Sequence, residues 1–427
     1  MNSPLTLPLS FVKRRGSVIY LMKNYYFGEE GDFVKKLPVL LIAALLCVPF
    51  LTSCSGGGAT LTVWCAEMDK EMIVSMVDEF LATKPGVREI VVEVNEDDVT
   101  RERFTDDPSA AADVICIPHD QLGALVNRKG LLEITDAKHL EAVGQNIAPS
   151  VRAGQIDGKQ YGFPSSFETH ILFYDKSIIS DSAAQTLESI LATGVPGDGY
   201  GFAMDFGNAY FSANWFFTYG CKLFGDLGDD SAYCDFDNAD GIAAMTWLIG
   251  NRDEMGDCND ETAIGLFKEH RLGAFVGGPW NAAAVTEALK GHYGCAKLPD
   301  VDGKPMRSFA GYKLYCVNAN TKNKTTAMEL AAWLTKPENQ KIRFITRNLI
   351  PVAVSLADDA DVAASATAKA VIAQGPYAIP MPSIPEMSHF WTPTGDFTSA
   401  CHSGDIEISA LREKLIELTS AIKGASY

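Results

Sequence analysis

Positive charge is scarce in this chain: 36 Lys and Arg face 54 Asp and Glu, a formal net charge of −18. A surface of that sign repels nucleic acid and anionic lipid headgroups, so a polyanion-binding role starts far behind. Histidine is sparse at 7 residues, and no Cys-x-x-Cys or Cys/His cluster has zinc spacing. No metal centre is therefore expected. Gly-x-Ser-x-Gly, His-Glu-x-x-His and a phosphate-cradling Gly-Lys-Ser/Thr are also absent. Their absence argues against an esterase elbow, a zincin helix and a nucleotide-phosphate loop. Neither catalytic residues nor a cofactor are expected. There is no internal repeat, and low complexity is confined to a short tether at residues 55–58.

The uncharged run from Leu37 to Leu51 follows Lys35 and Lys36. It falls short of the roughly 20 apolar residues of a spanning helix. A positive flank, a short apolar core and small residues after it describe a secretory signal. The run ends Leu51-Thr52-Ser53-Cys54 and leads into Ser55-Gly-Gly-Gly58. That ending resembles the bacterial lipobox, which implies removal of residues 1–53, lipid on Cys54 and a flexible tether over 54–58. An ordinary signal with an unrelated cysteine is the alternative. Residues 1–34, with Glu29, Glu30 and Asp32, make a poor signal start and read as an overcalled N-terminus. From Cys54 onward the chain has 374 residues, with 30 Lys/Arg against 51 Asp/Glu, a net charge of −21. That length suggests two lobes rather than one core.

Cys65, Cys116, Cys295 and Cys316 sit in apolar strand-like runs, where small buried thiols are the favoured reading. Cys221 and Cys234 flank a Gly/Asp-rich loop, and whether they bridge is left open.

Short strands alternate with amphipathic helices, the pattern of an α/β sandwich. After a strand at 59–65, Met72, Ile73, Met76, Val77, Phe80 and Leu81 recur at helical spacing until Pro85-Gly86. Further strands are expected at 90–94, 113–117, 162–164, 171–174, 274–277 and 312–318. Residues 177–300 are helix-rich and aromatic-rich. Helices are expected at 325–334 and 340–345, and a closing helix at 406–422.

Several segments resemble, in order and spacing, the maltose/maltodextrin-binding proteins among the solute-binding proteins of ABC importers. They are Thr62-Val-Trp-Cys-Ala-Glu-Met-Asp-Lys70, Asp113-Val-Ile-Cys-Ile-Pro-His-Asp120, Gly130-Leu-Leu-Glu-Ile-Thr135 and Tyr161-Gly-Phe-Pro-Ser-Ser-Phe-Glu168. Leu172-Phe-Tyr-Asp-Lys176, Gly277-Gly-Pro-Trp280 and Met381-Pro-Ser-Ile-Pro-Glu-Met-Ser-His-Phe-Trp391 follow. The resemblance implies an α/β, two-lobed periplasmic-binding-protein fold whose chain crosses a hinge three times. One lobe would hold 59–167 and 314–360, the other 168–313 and 361–427. An oligosaccharide would sit between them and pass to permease subunits, the protein working as a monomer without nucleic acid or cofactor.

A sugar ring shows hydroxyls in its plane and an apolar C–H face, so its site needs polar acceptors and aromatic platforms. The resemblance assigns polar contacts to Asp69, Lys70, Asp120 and Glu168. It assigns stacking to Tyr210, Trp280 and Trp391, and an apolar wall to Met381. Each has a plainer alternative. Asp69 and Asp120 suit helix N-caps, and Lys70 suits a solvated first turn. Trp280 suits core packing, and of Phe390 and Trp391 one is expected in the core. Glu168 is harder to dismiss, because a buried carboxylate needs a partner.

The chain departs from that pattern in ways that put maltose itself in doubt. Ile117 stands where a cleft tryptophan is usual, Gln121 for an arginine and Asn208 for a glutamate. Thr392 replaces an aromatic and Gly395 an arginine. Two other roles stay open. Asp120 and Glu168 have the residue types of a glycosidase pair, and carboxylates with aromatic walls also suit a polyamine. A ferric-ion site would want clustered tyrosines, and only Tyr210 falls at a matched position.

Overall fold

The strand Ala59–Cys65 is buried through most of its length and pairs in parallel with Val87–Val94 on one side and Val114–Pro118 on the other. Strands covered on both faces read as unbroken apolar runs, as Val114-Ile-Cys-Ile does. The helix Lys70–Thr83 makes the crossover and turns Met72, Ile73, Met76, Val77 and Phe80 onto the sheet. Its polar face stays in water, which is why the apolar spacing marked it in the sequence. This structure, a computed structural model, describes residues 58–96 and 99–424. The signal, the lipobox and Cys54 lie outside those residues.

The first sheet continues through the long strand Ser308–Val317, antiparallel to Val114–Pro118 and to Gly162–Thr169, with Ala378–Pro380 added in parallel at its start. A second sheet has the order 293–296, 171–175, 272–277, 200–204 and 255–257. Only His170 separates the strand Gly162–Thr169, in the first sheet, from Ile171–Asp175, in the second. The chain thus passes between the sheets there and returns through Ser308–Val317. This is the mixed α/β, two-lobed arrangement that the segment pattern implied. Aromatics fill the core beside the second sheet, among them Trp215, Phe216 and Phe236, the last two stacked with centroids 4.1 Å apart.

Three details of the fold go beyond the sequence expectation. The closing helix begins at Leu411, because Gly404 at φ 92° ends the preceding helix Trp391–Ser403 and residues 405–410 form a turn. Residues 130–135 hold an isolated bridge between Leu131 and Asn318, and the Leu132 and Ile134 amides donate to the Val317 and Gln160 carbonyls. Glu168 lies inside a single strand rather than between two segments. Cys65, Cys116 and Cys316 are buried in strands as expected, and Cys221 and Cys234 are buried free thiols.

Candidate functional site

In both sheets the parallel strands end at the same place. Ala66 follows Ala59–Cys65, and Pro118 ends its strand. Asp205 follows Tyr200–Met204, and Trp280 stands three residues beyond Leu272–Gly277. All four residues line one cleft of about 1130 Å³. Open α/β sheets place ligands beyond the carboxyl ends of their strands, where loops are free to carry chemistry.

The floor is the strand pair Gly162–Thr169 and Ser308–Val317. Ser166 opposes Lys313 and Glu168 opposes Gly311, so these four share a face. The register shifts after Lys313, where Ser165 is the extra residue and its hydroxyl donates to the Lys313 carbonyl at 3.1 Å. Such bulges re-aim side chains beside functional sites. Gly311 gives Glu168 room: a Cβ there would lie 2.8 Å from Glu168 Cγ. Lys313 Nζ stands 3.9 Å from Glu168 Oε1.

Asp120 comes from the short turn after Val114–Pro118 and is buried. Burial outweighs the attraction of Arg101 and Lys313 and pushes its carboxyl up to about 6. Its side chain caps no helix. Trp280 follows Gly277-Gly278-Pro279, and its indole lies back over Gly278, where a Cβ would meet the ring at 2.1 Å. Its Nε1 donates to Asp260 at 3.1 Å. Tyr210 packs edge-on to His170 at 4.3 Å and parallel to Phe309 at 6.2 Å. Phe390 is fully buried while Trp391, opening the next helix, lines the cleft. Met381 completes the wall.

Asp120, Glu168, Tyr210, Trp280, Met381 and Trp391 are therefore brought together, and Asp69 and Lys70 are not among the lining residues. Asp69 instead accepts from Arg347 Nε at 2.9 Å and makes no side-chain cap. Lys70 is an exposed first-turn residue. Of the departures, Ile117 is buried in the core. Gln121, Asn208 and Thr392 line the cleft. Gln121 accepts from the Arg101 amide at 3.0 Å and Asn208 caps the Tyr210 amide at 3.0 Å. Gly395 has no room for an arginine, since even a Cβ would lie 2.2 Å from the Gly207 carbonyl.

Glu96, Arg101, Asp205, Asp260, Lys313 and Asp396 also line the cleft and were not singled out from the sequence. Lys313 carried a signal: it is the one charge in the apolar run Tyr312–Val317. Asp260 read as an ordinary first-turn acid of the helix Asp260–Lys268, and nothing local marked it. Burial and neighbouring Asp257 raise the carboxyl of Asp205.

Residues 75–370 match the family model described as bacterial extracellular solute-binding protein. The chain belongs to this family. Among curated relatives, the galactooligosaccharide-binding protein of Bacillus subtilis (strain 168) is 32% identical over 359 residues, covering 79% of this chain and 83% of the relative. The maltooligosaccharide ABC transporter solute-binding lipoprotein of Streptococcus pneumoniae (strain ATCC BAA-255 / R6) is 26% identical over 311 residues, 68% of this chain and 72% of the relative. Among solved structures, the maltodextrin-binding protein MalE1 from L. casei BL23 without ligand is 25% identical, with a TM-score of 0.75 over 86% of this chain and 99% of that one. The two curated relatives are named for galactooligosaccharide and maltooligosaccharide, and the solved structure for maltodextrin.

Proposed function

We propose that this solute-binding protein captures an oligosaccharide in the cleft and delivers it to the permease of an ABC importer. The observation that carries the reading is the convergence of Tyr210, Trp280 and Trp391 with Asp120, Glu168 and Lys313 on one cavity. Aromatic faces meet the C–H face of a sugar, and the charged groups fix its hydroxyls. The lobes are 59–167 with 314–360 and 168–313 with 361–427. Solute touches both only when they close, so it selects the closed state that the permease reads. Cys54 carries lipid and holds the monomer at the outer face of the membrane. No chemistry is performed on the solute. The names of the relatives place both galactose-based and glucose-based oligosaccharides in the first test panel.

A second reading rests on charge. Six carboxylates line the cleft (Glu96, Asp120, Glu168, Asp205, Asp260 and Asp396) against two cations, Arg101 and Lys313. That balance also suits a polyamine. Thermal unfolding against oligosaccharides, polyamines and amino acids separates the two. A solute at 100 times its dissociation constant raises stability by about 2.7 kcal/mol. A shift with one oligosaccharide and unchanged sugar after incubation support transport of sugar. A response to spermidine alone, or new reducing ends, overturns it.

A further inference from the structure

Behind the cleft floor lies a second cavity of about 510 Å³. Successive strand residues face opposite sides of a sheet. Lys313 accordingly lines the cleft, and its neighbour Tyr312 lines the cavity behind; Asp120 and His119 divide in the same way. His119 is the partition. Its Nδ1 accepts from the Tyr312 amide at 3.2 Å, which leaves Nε2–H to donate to the Met381 carbonyl at 3.1 Å. Met381 is the one residue that lines both spaces.

The charges around the rear cavity are unlike those of the cleft. Lys222 is paired with Asp226 at 2.6 Å. Arg152 and Arg307 form no ion pair among the described residues, in a chain whose acids far outnumber its bases. By the lobe division proposed above the two arginines fall on different lobes, and the Arg307 amide donates to Thr218 Oγ1 at 3.0 Å, beside the aromatic core of the second sheet. Arg152 belongs to the helix Ala148–Ala153, packed on Gly162–Thr169 of the first sheet. Arg307 precedes Ser308–Val317, beyond the small hairpin of Asp300–Val301 and Lys304–Pro305. Phe217, Phe309 and Tyr312 supply an apolar lining between them.

We propose that the rear cavity binds a small oxyanion, a carboxylate or phosphate, gripped by Arg152 from one lobe and Arg307 from the other. A guanidinium presents paired N–H donors that match either group. Rotation about the floor strands that narrows the cleft widens the space behind it. An anion bridging the rear rims therefore holds the cleft open, and anion and solute bind antagonistically. The antagonism rests on the two-lobe transport reading, whereas the anion site does not.

The test is calorimetric titration of the purified chain with citrate and with inorganic phosphate, at ionic strength held constant by chloride. The expected result is saturable binding of at least one, weakened about tenfold in Arg152→Gln and in Arg307→Gln and unchanged in Trp391→Ala. Both arginines are exposed, and unchanged unfolding midpoints without anion verify that the variants fold. Saturating anion should weaken solute binding at least about fivefold in the wild type, and not in Arg152→Gln. Absence of saturable binding, binding that both arginine variants retain, or binding lost in Trp391→Ala overturns the proposal. A silent sugar panel alongside arginine-dependent anion binding sinks the transport reading and leaves the anion site standing.

Discussion

Lys313 Nζ lies 3.9 Å from the Glu168 carboxylate on the cleft face of two paired strands, with the glutamate side chain 8% exposed and the lysine 20%. A carboxylate that deep is tolerated only with a cation or donors beside it. Both residues also line the cleft, so one pair serves the stability of the floor and the polarity of the site.

Replacing Lys313 by Met is therefore expected to weaken both. Partial exposure of the lysine moderates the loss to roughly 1–3 kcal/mol of unfolding free energy. Urea denaturation reads that loss, and calorimetry on the same variant reads the fall in solute affinity. Lys313→Arg should restore most of the stability and less of the affinity, because the fork of a guanidinium directs its donors differently.

The aromatic walls should separate from one another by substitution. Trp391→Ala removes a platform that begins a helix at the cleft edge, and is expected to cost about tenfold or more in affinity. Asp260→Asn keeps an acceptor for Trp280 Nε1 but removes the charge. It should lower affinity by only about threefold if the carboxylate serves chiefly to orient the indole. An equal loss in both variants would assign Asp260 a direct contact with solute.

Solute affinity should depend on pH through Asp120, whose carboxyl is pushed up to about 6 by burial. Sugar hydroxyls donate to an ionised carboxylate, so binding favours the charged form and releases a proton below that pH. Affinity should fall as the pH drops through about 6, by at most about tenfold per unit for one linked proton. Titrations in buffers of different ionisation enthalpy measure the release. Asp120→Asn should bind more weakly at neutral pH and lose the dependence.

How far the sequence carried this picture differs between elements. Helix Lys70–Thr83 was legible because one apolar stripe at 3.6-residue spacing faces the sheet. The cleft aromatics were found through segment resemblance, since a tryptophan after Gly-Gly-Pro is equally at home in a core. Asp69 shows the limit of that route: its position matches the pattern, yet Arg347, 278 residues further on, takes its carboxylate. A contact of such separation has no local signal. Asp205, Asp260 and Asp396 were hidden for the same reason, as each looks like an ordinary solvated acid until the fold brings it to the cleft.

The buried histidines make acid stability a signed test of the fold. Burial lowers His119 to about 4 and His170 to about 3 from an ordinary 6.5. In the unfolded chain both bind protons as the pH falls below 6.5, whereas in the native state they resist, so stability declines from there toward 4. Asp120 works the other way. Its raised native pKa makes the folded state the better proton acceptor between about 6 and the ordinary carboxylate value of 3.8, which adds stability as the pH falls. Urea midpoints measured from pH 7 to 4 should therefore decline in the wild type. The decline should be shallower in His170→Gln, which keeps a side chain able to reach Asn214, and steeper in Asp120→Asn, which removes the opposing proton uptake. Parallel curves for all three proteins would mean that neither burial is retained in solution.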